Sequence, residues 1–182
     1  MDTFDFAVAR VLKNEGGLSE NPKDLGGITH YGISLRFLKL VPIKNLFHYE
    51  IVKNEVNEET IRNLTVEQAK EIYRREFWYQ ANFYKIKDLD VCSYLFDAVV
   101  HHGMAPGIKM IQRACWSIFA DRAVIKEDGI LGTDTIDCIN RAAFFILAPF
   151  RSERAGYCRS IVAHNPAQSD KLEGWLNRCY GG

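Results

Sequence analysis

The sequence predicts a mainly α protein built as one domain, and three observations carry that prediction. Apolar residues recur at spacings of three and four along nearly the whole chain. The sections without that spacing are short and rich in Gly, Pro, Asp and Asn. A chain of 182 residues, 47% hydrophobic and 25% charged, buries enough surface to fold without a disulfide or metal staple, which excludes disordered and small cross-linked scaffolds.

A first helix is expected from Thr3 to Glu15, because Phe4, Val8, Val11 and Glu15 fall on one face and Gly16-Gly17 stops it. Leu18 to Gly32 is too rich in glycine for a helix and reads as a loop or a short β-hairpin. Ser34 is the expected N-cap of a short second helix ending before Pro42. Lys44 to Leu64 is polar and mixed, with no periodicity that assigns it. Thr65-Val66-Glu67-Gln68 has the form of a capping box, opening a helix with Ala69, Ile72, Tyr73 and Phe77 on its inner side. A helix from Asp90 to His102 follows, then one with Pro106 in its first turn and Ile108, Ile111, Cys115 and Phe119 as its apolar stripe. Asp128 to Thr133 supplies a turn and an N-cap. Helices over Asp134–Leu147, Pro149–Ala163 and Ser169–Cys179 complete the chain. Residues 1–182 form a single domain in this reading, with a weak boundary near Gly103–Pro106 between an N-terminal lobe (1–103) and a C-terminal helical lobe (104–182).

The 23 basic and 23 acidic side chains cancel, which argues against a partner bound through its phosphates, so no nucleic acid is expected. The five cysteines are odd in number and hold no C-x-x-C pair; they read as free thiols packed in the core, and no metal site is expected. Asp2 and Asp5 stand where a signal peptide needs basic residues, and no stretch approaches the eighteen apolar residues of a membrane span. The chain is therefore expected to be made in the cytoplasm without a signal peptide, with no stable membrane insertion, and as a monomer. Cys92 and His101 or His102 lie too far apart along one helix to form a nucleophile–base pair, and Ser34 lacks the second glycine of a nucleophile elbow.

The chemistry-bearing stretch runs from Glu15 to Ser34. A carboxyl group sharing a face with Phe4, Val8 and Val11, in the last turn of a helix, is penalised when ionised both by apolar packing and by the negative end of the helix dipole. A carboxylic acid kept protonated is what cleavage of a glycosidic bond needs, so Glu15 is the candidate general acid. Asp24, in the glycine-rich loop, is a second carboxylate able to stay ionised and face an oxocarbenium ion or orient water. The Thr29 hydroxyl is placed to help hold that water.

The run Glu15-Gly16-Gly17, then Asn21, Asp24, Gly26-Gly27, Thr29 and Gly32-Ile33-Ser34 resembles the N-terminal signature of glycoside hydrolase family 108, the bacterial and phage N-acetylmuramidases of lysozyme-like fold. Phe96-Asp97-Ala98-Val99-Val100-His101-His102-Gly103 resembles the family's Asp-x-x-Val-Asn-x-Gly helix end. Gln112, the Asp128-Gly129-x-x-Gly132-x-x-Thr135 turn and Gly174-Trp175-Leu176-x-Arg178 resemble its C-terminal, peptidoglycan-binding-like part. The resemblance implies a lysozyme-like helical fold, hydrolysis of the β-1,4 bond between N-acetylmuramic acid and N-acetylglucosamine, and the acid role for Glu15. The spacing of Glu15, Asp24 and Thr29 is also similar, to within one residue, to the catalytic triad of phage-type lysozymes. Asn21, Tyr31, Asp97, His101 and His102 are the expected substrate-binding residues, peptidoglycan glycan strands the partner, and no cofactor is implied. The enzyme would then act on the cell wall after release from the cytoplasm. Leu18, Leu25 and Val100-His101 depart from the family pattern, the last at a polar contact that His101 or His102 would have to supply. The alternative reading is a non-catalytic wall-binding or secretion-accessory protein of the same fold, which would lose binding rather than cleavage when Glu15 is changed.

Overall fold

The computed structural model describes residues 2–20, 27–51, 56–119 and 125–181. It is mainly α with a lysozyme-like arrangement of helices around one two-stranded hairpin. Helix α1 (Thr3–Glu15) buries Phe4, Ala7, Val8 and Val11, and Gly16 ends it at φ 71°, a left-handed backbone that favours glycine. The hairpin pairs β1 (Thr29–His30) with β2 (Ile33–Ser34), Thr29 facing Ser34 and His30 facing Ile33. Its two-residue turn, Tyr31 at φ 50° and Gly32 at φ 79°, has the backbone signs of a type I′ turn, whose twist matches that of the strands it joins. Ser34 then caps α2 (Leu35–Leu40) by accepting from the Phe37 amide.

The stretch with no readable periodicity holds α3 (Ile43–Leu46), a 3-10 turn at Phe47–Tyr49 and α4 (Glu58–Arg62), which opens on an Asn57–Thr60 capping box. The Thr65–Gln68 capping box is present and starts α5 (Val66–Tyr73). From Arg74 to Tyr79 the helix widens to π geometry. That extra residue per turn rotates the inner face, so Trp78 is buried where the 3.6-residue period points to Phe77, which is only partly buried.

Helix α6 (Leu89–His102) is the central post: Val91 to Val99 are all buried. It packs against α1 and against α7 (Met104–Phe119), approaching α7 so closely that a Cβ on Gly107 would lie 2.7 Å from the Val99 Cα. Phe4, Trp78, Phe83 and Phe96 form an aromatic cluster with centroids 5.1–6.3 Å apart, fixing the start of α1 against α6. One core runs from Phe4 to Phe150, and it crosses the junction between residues 103 and 104.

The C-terminal helices depart from the sequence expectation at two places, the end of the helix that opens at Thr133 and the residues Ser169–Lys171, which are 3-10 rather than α. Helix α8 (Thr133–Ala142) ends at Ala143, at φ 46°, and a 3-10 turn over Ala143–Ile146 leads into α9 (Leu147–His164). Pro149 therefore does not break a helix; it occupies the first turn of α9, where its missing N–H is not needed. A 3-10 turn (Pro166–Lys171) and α10 (Leu172–Tyr180) follow, α10 contributing Cys179 as its one buried residue. Among the described residues no helix is long and apolar enough to cross a membrane.

Candidate active site

Helix α1 ends with Glu15 because Gly16 and Gly17 cannot extend it, and the hairpin folds back over that end. A Cβ on Gly32 would lie 2.6 Å from Glu15 Cγ and 2.9 Å from Cδ, and closer still to the Tyr73 hydroxyl, so only glycine lets the turn approach the carboxyl group this tightly. The turn is tied from the other side by Tyr73, whose hydroxyl donates to the Tyr31 carbonyl over 2.8 Å. Burial first, and the negative charge of Glu15 after it, push the Tyr73 phenol well above its ordinary range, so it stays a neutral donor. Tyr31 itself stacks on His30 at 4.0 Å, and His30 reaches the Ile61 carbonyl through Nδ1.

The surroundings of Glu15 are not the purely apolar ones its helix face predicts. Arg178, on α10, donates from Nη2 to Glu15 Oε1 over 2.6 Å. The same guanidinium donates to both oxygens of Asp97, Nη2 to Oδ1 at 2.7 Å and Nε to Oδ2 at 3.1 Å. Asn14 adds a bond to Oδ1 at 3.0 Å and Arg154 one to Oδ2 at 2.9 Å. Two carboxylates and two guanidinia thus form one electrically balanced network, with Asp97 only 1% exposed and Arg154 at 0%. Burial pushes the Asp97 carboxyl upward, but the bonds and charge of Arg178, then Arg154 and Asn14, outweigh it and hold Asp97 below the ordinary carboxylate range.

His101 and His102 complete the network. Arg154 donates from Nε to His102 Nε2 at 3.3 Å and contacts His101 Nδ1 from Nη2 at 3.3 Å. A guanidinium has no acceptor, so each of these ring nitrogens must be the acceptor, and both imidazoles are neutral. Burial, assisted by Arg154 and Arg178, pushes His102 down to about 3; burial, then His102, Arg178 and Arg154, lower His101 well below its usual value.

Glu15, Tyr31 and Thr29 are gathered around the hairpin, Thr29 Oγ1 donating to the Gly27 carbonyl at 3.2 Å and its backbone pairing with Ser19. Asp97, His101 and His102 sit together on the far side of Arg178. All four lone-pair directions of Asp97 are occupied by Asn14, Arg154 and Arg178, which makes it a support for the site from behind. Asn21 and Asp24 lie outside the described residues. Of the aromatics Trp78, Tyr79, Phe83 and Tyr84, Trp78 and Phe83 belong to the core, while Tyr79 and Tyr84 are exposed and pack on each other. A pocket of about 410 Å³ between α1, α6 and α10, lined by Arg10, Lys13, Asn14, Ser93 and Arg178 among others, opens beside the network rather than over the acid.

Sequence reasoning gave no site role to Arg178, Arg154, Asn14, Tyr73 or Gly32. One signal was present: Arg154 lies four residues from both Phe150 and Cys158, an arginine on the buried stripe of α9, which requires a buried anion as partner. The Asp128–Gly132 turn is held from within. Gln112 donates to Asp128 Oδ1 and to the Ile130 carbonyl and accepts from the Gly129 amide, so Gln112 itself and that Asp128 oxygen are engaged in shaping the turn.

A family model described as glycosyl hydrolase 108 matches residues 8–103, more than half of the 182-residue chain. A solved structure of SagA from Brucella abortus is similar with a TM-score of 0.68 at 24% sequence identity, covering 98% of this chain and 94% of that one, a likeness of fold along nearly the whole length. None of the curated proteins matches the sequence.

Proposed function

The chain belongs to glycosyl hydrolase family 108, and from that premise we propose that it is an N-acetylmuramidase that hydrolyses the β-1,4 bond between N-acetylmuramic acid and N-acetylglucosamine in peptidoglycan, with Glu15 as the general acid. The observation that carries this reading is a single carboxyl group at a helix end, pressed by the Tyr31–Gly32 turn and clamped by Arg178 through one oxygen. Arg178 engages Oε1 and fixes the orientation of the carboxyl group, and in this mechanism the proton is delivered from Oε2.

In this mechanism Glu15 passes its proton to the glycosidic oxygen as the C1–O bond breaks. Asp24, helped by Thr29, stabilises the positive charge at C1 or aims the water that forms the new bond there. That water's proton passes to Asp24 where Asp24 aims it, and back to Glu15 where Asp24 only stabilises the charge. Arg178, tied to the buried Asp97, fixes the Glu15 carboxyl against rotation, and such pre-set geometry is where much of the rate arises. Tyr31 and Asn21 are assigned to the cleft wall. Asp97 acts on substrate only through Arg178 and Arg154, while the partly exposed His101 and His102 are assigned to contact with the substrate. Peptidoglycan carries net negative charge while the chain carries 23 charges of each sign, so recognition rests on cleft hydrogen bonds rather than on long-range attraction.

The test is digestion of purified peptidoglycan by the wild type and by Glu15→Gln, with circular dichroism to verify folding and mass spectrometry of the released reducing ends. Reducing N-acetylmuramic acid from the wild type alone is the expected result. Fragments ending in reducing N-acetylglucosamine, or equal cleavage by both proteins, would overturn the bond assignment or the acid assignment respectively. Wall binding without cleavage by either protein would replace the enzyme with a binding protein.

A further inference from the structure

The five cysteines are all buried, and the mechanism uses none of them. They are not randomly distributed. Cys158 on α9 and Cys179 on α10 hold their sulfurs 3.8 Å apart, and Cys158 is also 3.9 Å from His102 Nε2. Cys179 is the neighbour in sequence of Arg178, and its carbonyl accepts a hydrogen bond from Tyr94 on α6. The pair, with Ala155, forms a small apolar cluster of its own, separate from the main core and flanked by partly buried Leu172, Trp175 and Leu176.

We propose that Cys158 and Cys179 are a site of oxidative cross-linking, closed to a disulfide by a disulfide donor of the glutathione type, and that the cross-link pins α10, and with it Arg178, against Glu15. The balance is simple. One thiolate attacks the donor, releasing a first reduced thiol; the partner thiolate displaces the second; two protons and two electrons leave the protein and the donor takes up both. The geometry asks little, since the sulfurs must approach by only about 1.8 Å to reach the usual bond length of about 2 Å.

Access and reactivity both favour this pair. α10 contributes one buried residue, so it opens at a lower cost than helices seated in the main core. Hydrogen bonding from Cys158 lowers the Cys179 thiol against the effect of burial, and Arg154 lowers it further, which marks Cys179 as the attacking sulfur. Cys115 and Cys138 are also in hydrogen-bonding contact, but they lie in the main core between α7 and α8, where reaction requires that core to open. The consequence matters because α10 supplies Arg178 to the acid while holding little buried surface of its own. Any effect on catalysis rests on the function proposed above; the cross-link does not.

The experiment incubates the full chain with glutathione disulfide at pH 8, followed by intact mass, thiol counting under denaturing conditions and peptide mapping. The expected result is a loss of 2 Da, a fall from five titratable thiols to three, a peptide joining residues 158 and 179, and a melting temperature raised by roughly 5–15 °C. Cys158→Ala should keep all four of its thiols and show no such rise. Five thiols remaining after oxidation, a mapped link between other cysteines, or the mapped link without any rise in melting temperature would each overturn the proposal. These readouts require no substrate, so they stand even if no glycan is cleaved. Where Glu15-dependent cleavage is found, the oxidised protein should retain it to higher temperature than the reduced one.

Discussion

Replacing Arg178 by Met tests the network most directly. The methionine stem fills much of the same space, while the guanidinium that joins Glu15 to Asp97 is removed. Asp97 is 1% exposed and keeps only the Arg154 and Asn14 bonds; Arg178 and Glu15 are 13% and 18% exposed, so that end of the network is partly wet. Breaking one side of a fully buried pair costs about 3–5 kcal/mol, and the partial exposure places this case near the lower end, about 3 kcal/mol. For a chain of this size that lowers the melting temperature by roughly 6–12 °C. Urea denaturation at pH 7 gives the free energy. Because Asp97 is held below its unfolded value, its contribution is present above about pH 5 and is lost as the pH falls through and below about 4; the gap between wild type and variant should narrow over that range. Adding Asp97→Asn removes the orphaned charge, so the double variant should be at least about 1 kcal/mol more stable than the sum of the single losses predicts. Cleavage by Arg178→Met should fall on the order of 100-fold, in kcat more than in KM, since the acid is misplaced rather than the sugar unbound. A cost under about 1 kcal/mol, or strict additivity in the double variant, would refute the network as the element that holds Glu15.

Gly32→Ala should cost about 1–3 kcal/mol and most of the activity, because the new methyl group meets Glu15 and Tyr73 at a φ of 79°; a melting curve and activity like the wild type's would refute the close approach. His102 has a folded-state value near 3 against about 6.5 when unfolded, so stability is complete above about pH 6.5 and falls as the pH drops from there toward 3, by up to about 1.4 kcal/mol per pH unit from this group. His102→Gln should flatten that slope in urea titrations at stepped pH, and an unchanged slope would show that His102 is not buried neutral. Gln112→Ala should cost about 2 kcal/mol by leaving the Gly129 amide unpaired, measurable by urea denaturation, with no effect expected if water replaces the side chain fully.

What the sequence made legible were features written in local chemistry. The Thr65 capping box, the Gly16 stop and the Ser34 cap all act within four residues, and the structure has each of them in place. The end of α8 was not legible, because Ala143 adopts a left-handed backbone that nothing in an alanine announces, while the proline six residues later is harmless where it sits. The π segment at Arg74–Tyr79 escaped for a similar reason: a hydrophobic period of 3.6 cannot report an inserted residue. Glu15 could be singled out from its helix end and glycine-rich sequel. Its clamp could not, since Arg178 lies 163 positions away and the pairing of two charges over that distance leaves no local mark.

The division of charge along the chain bears on how the protein can be cut and recombined. The segment that matches the family, residues 8–103, carries both Glu15 and Asp97, while the cations that neutralise them, Arg154 and Arg178, come from beyond it. That segment is thus a recognisable unit of descent without being a portable module. Grafted alone onto another scaffold, or exchanged with a relative whose C-terminal helices do not present arginines at both places, it would bring a desolvated Asp97 with no counterion and an acid free to swing. A chimera that respects this chemistry places its crossover so that α1, α6, α9 and α10 travel together.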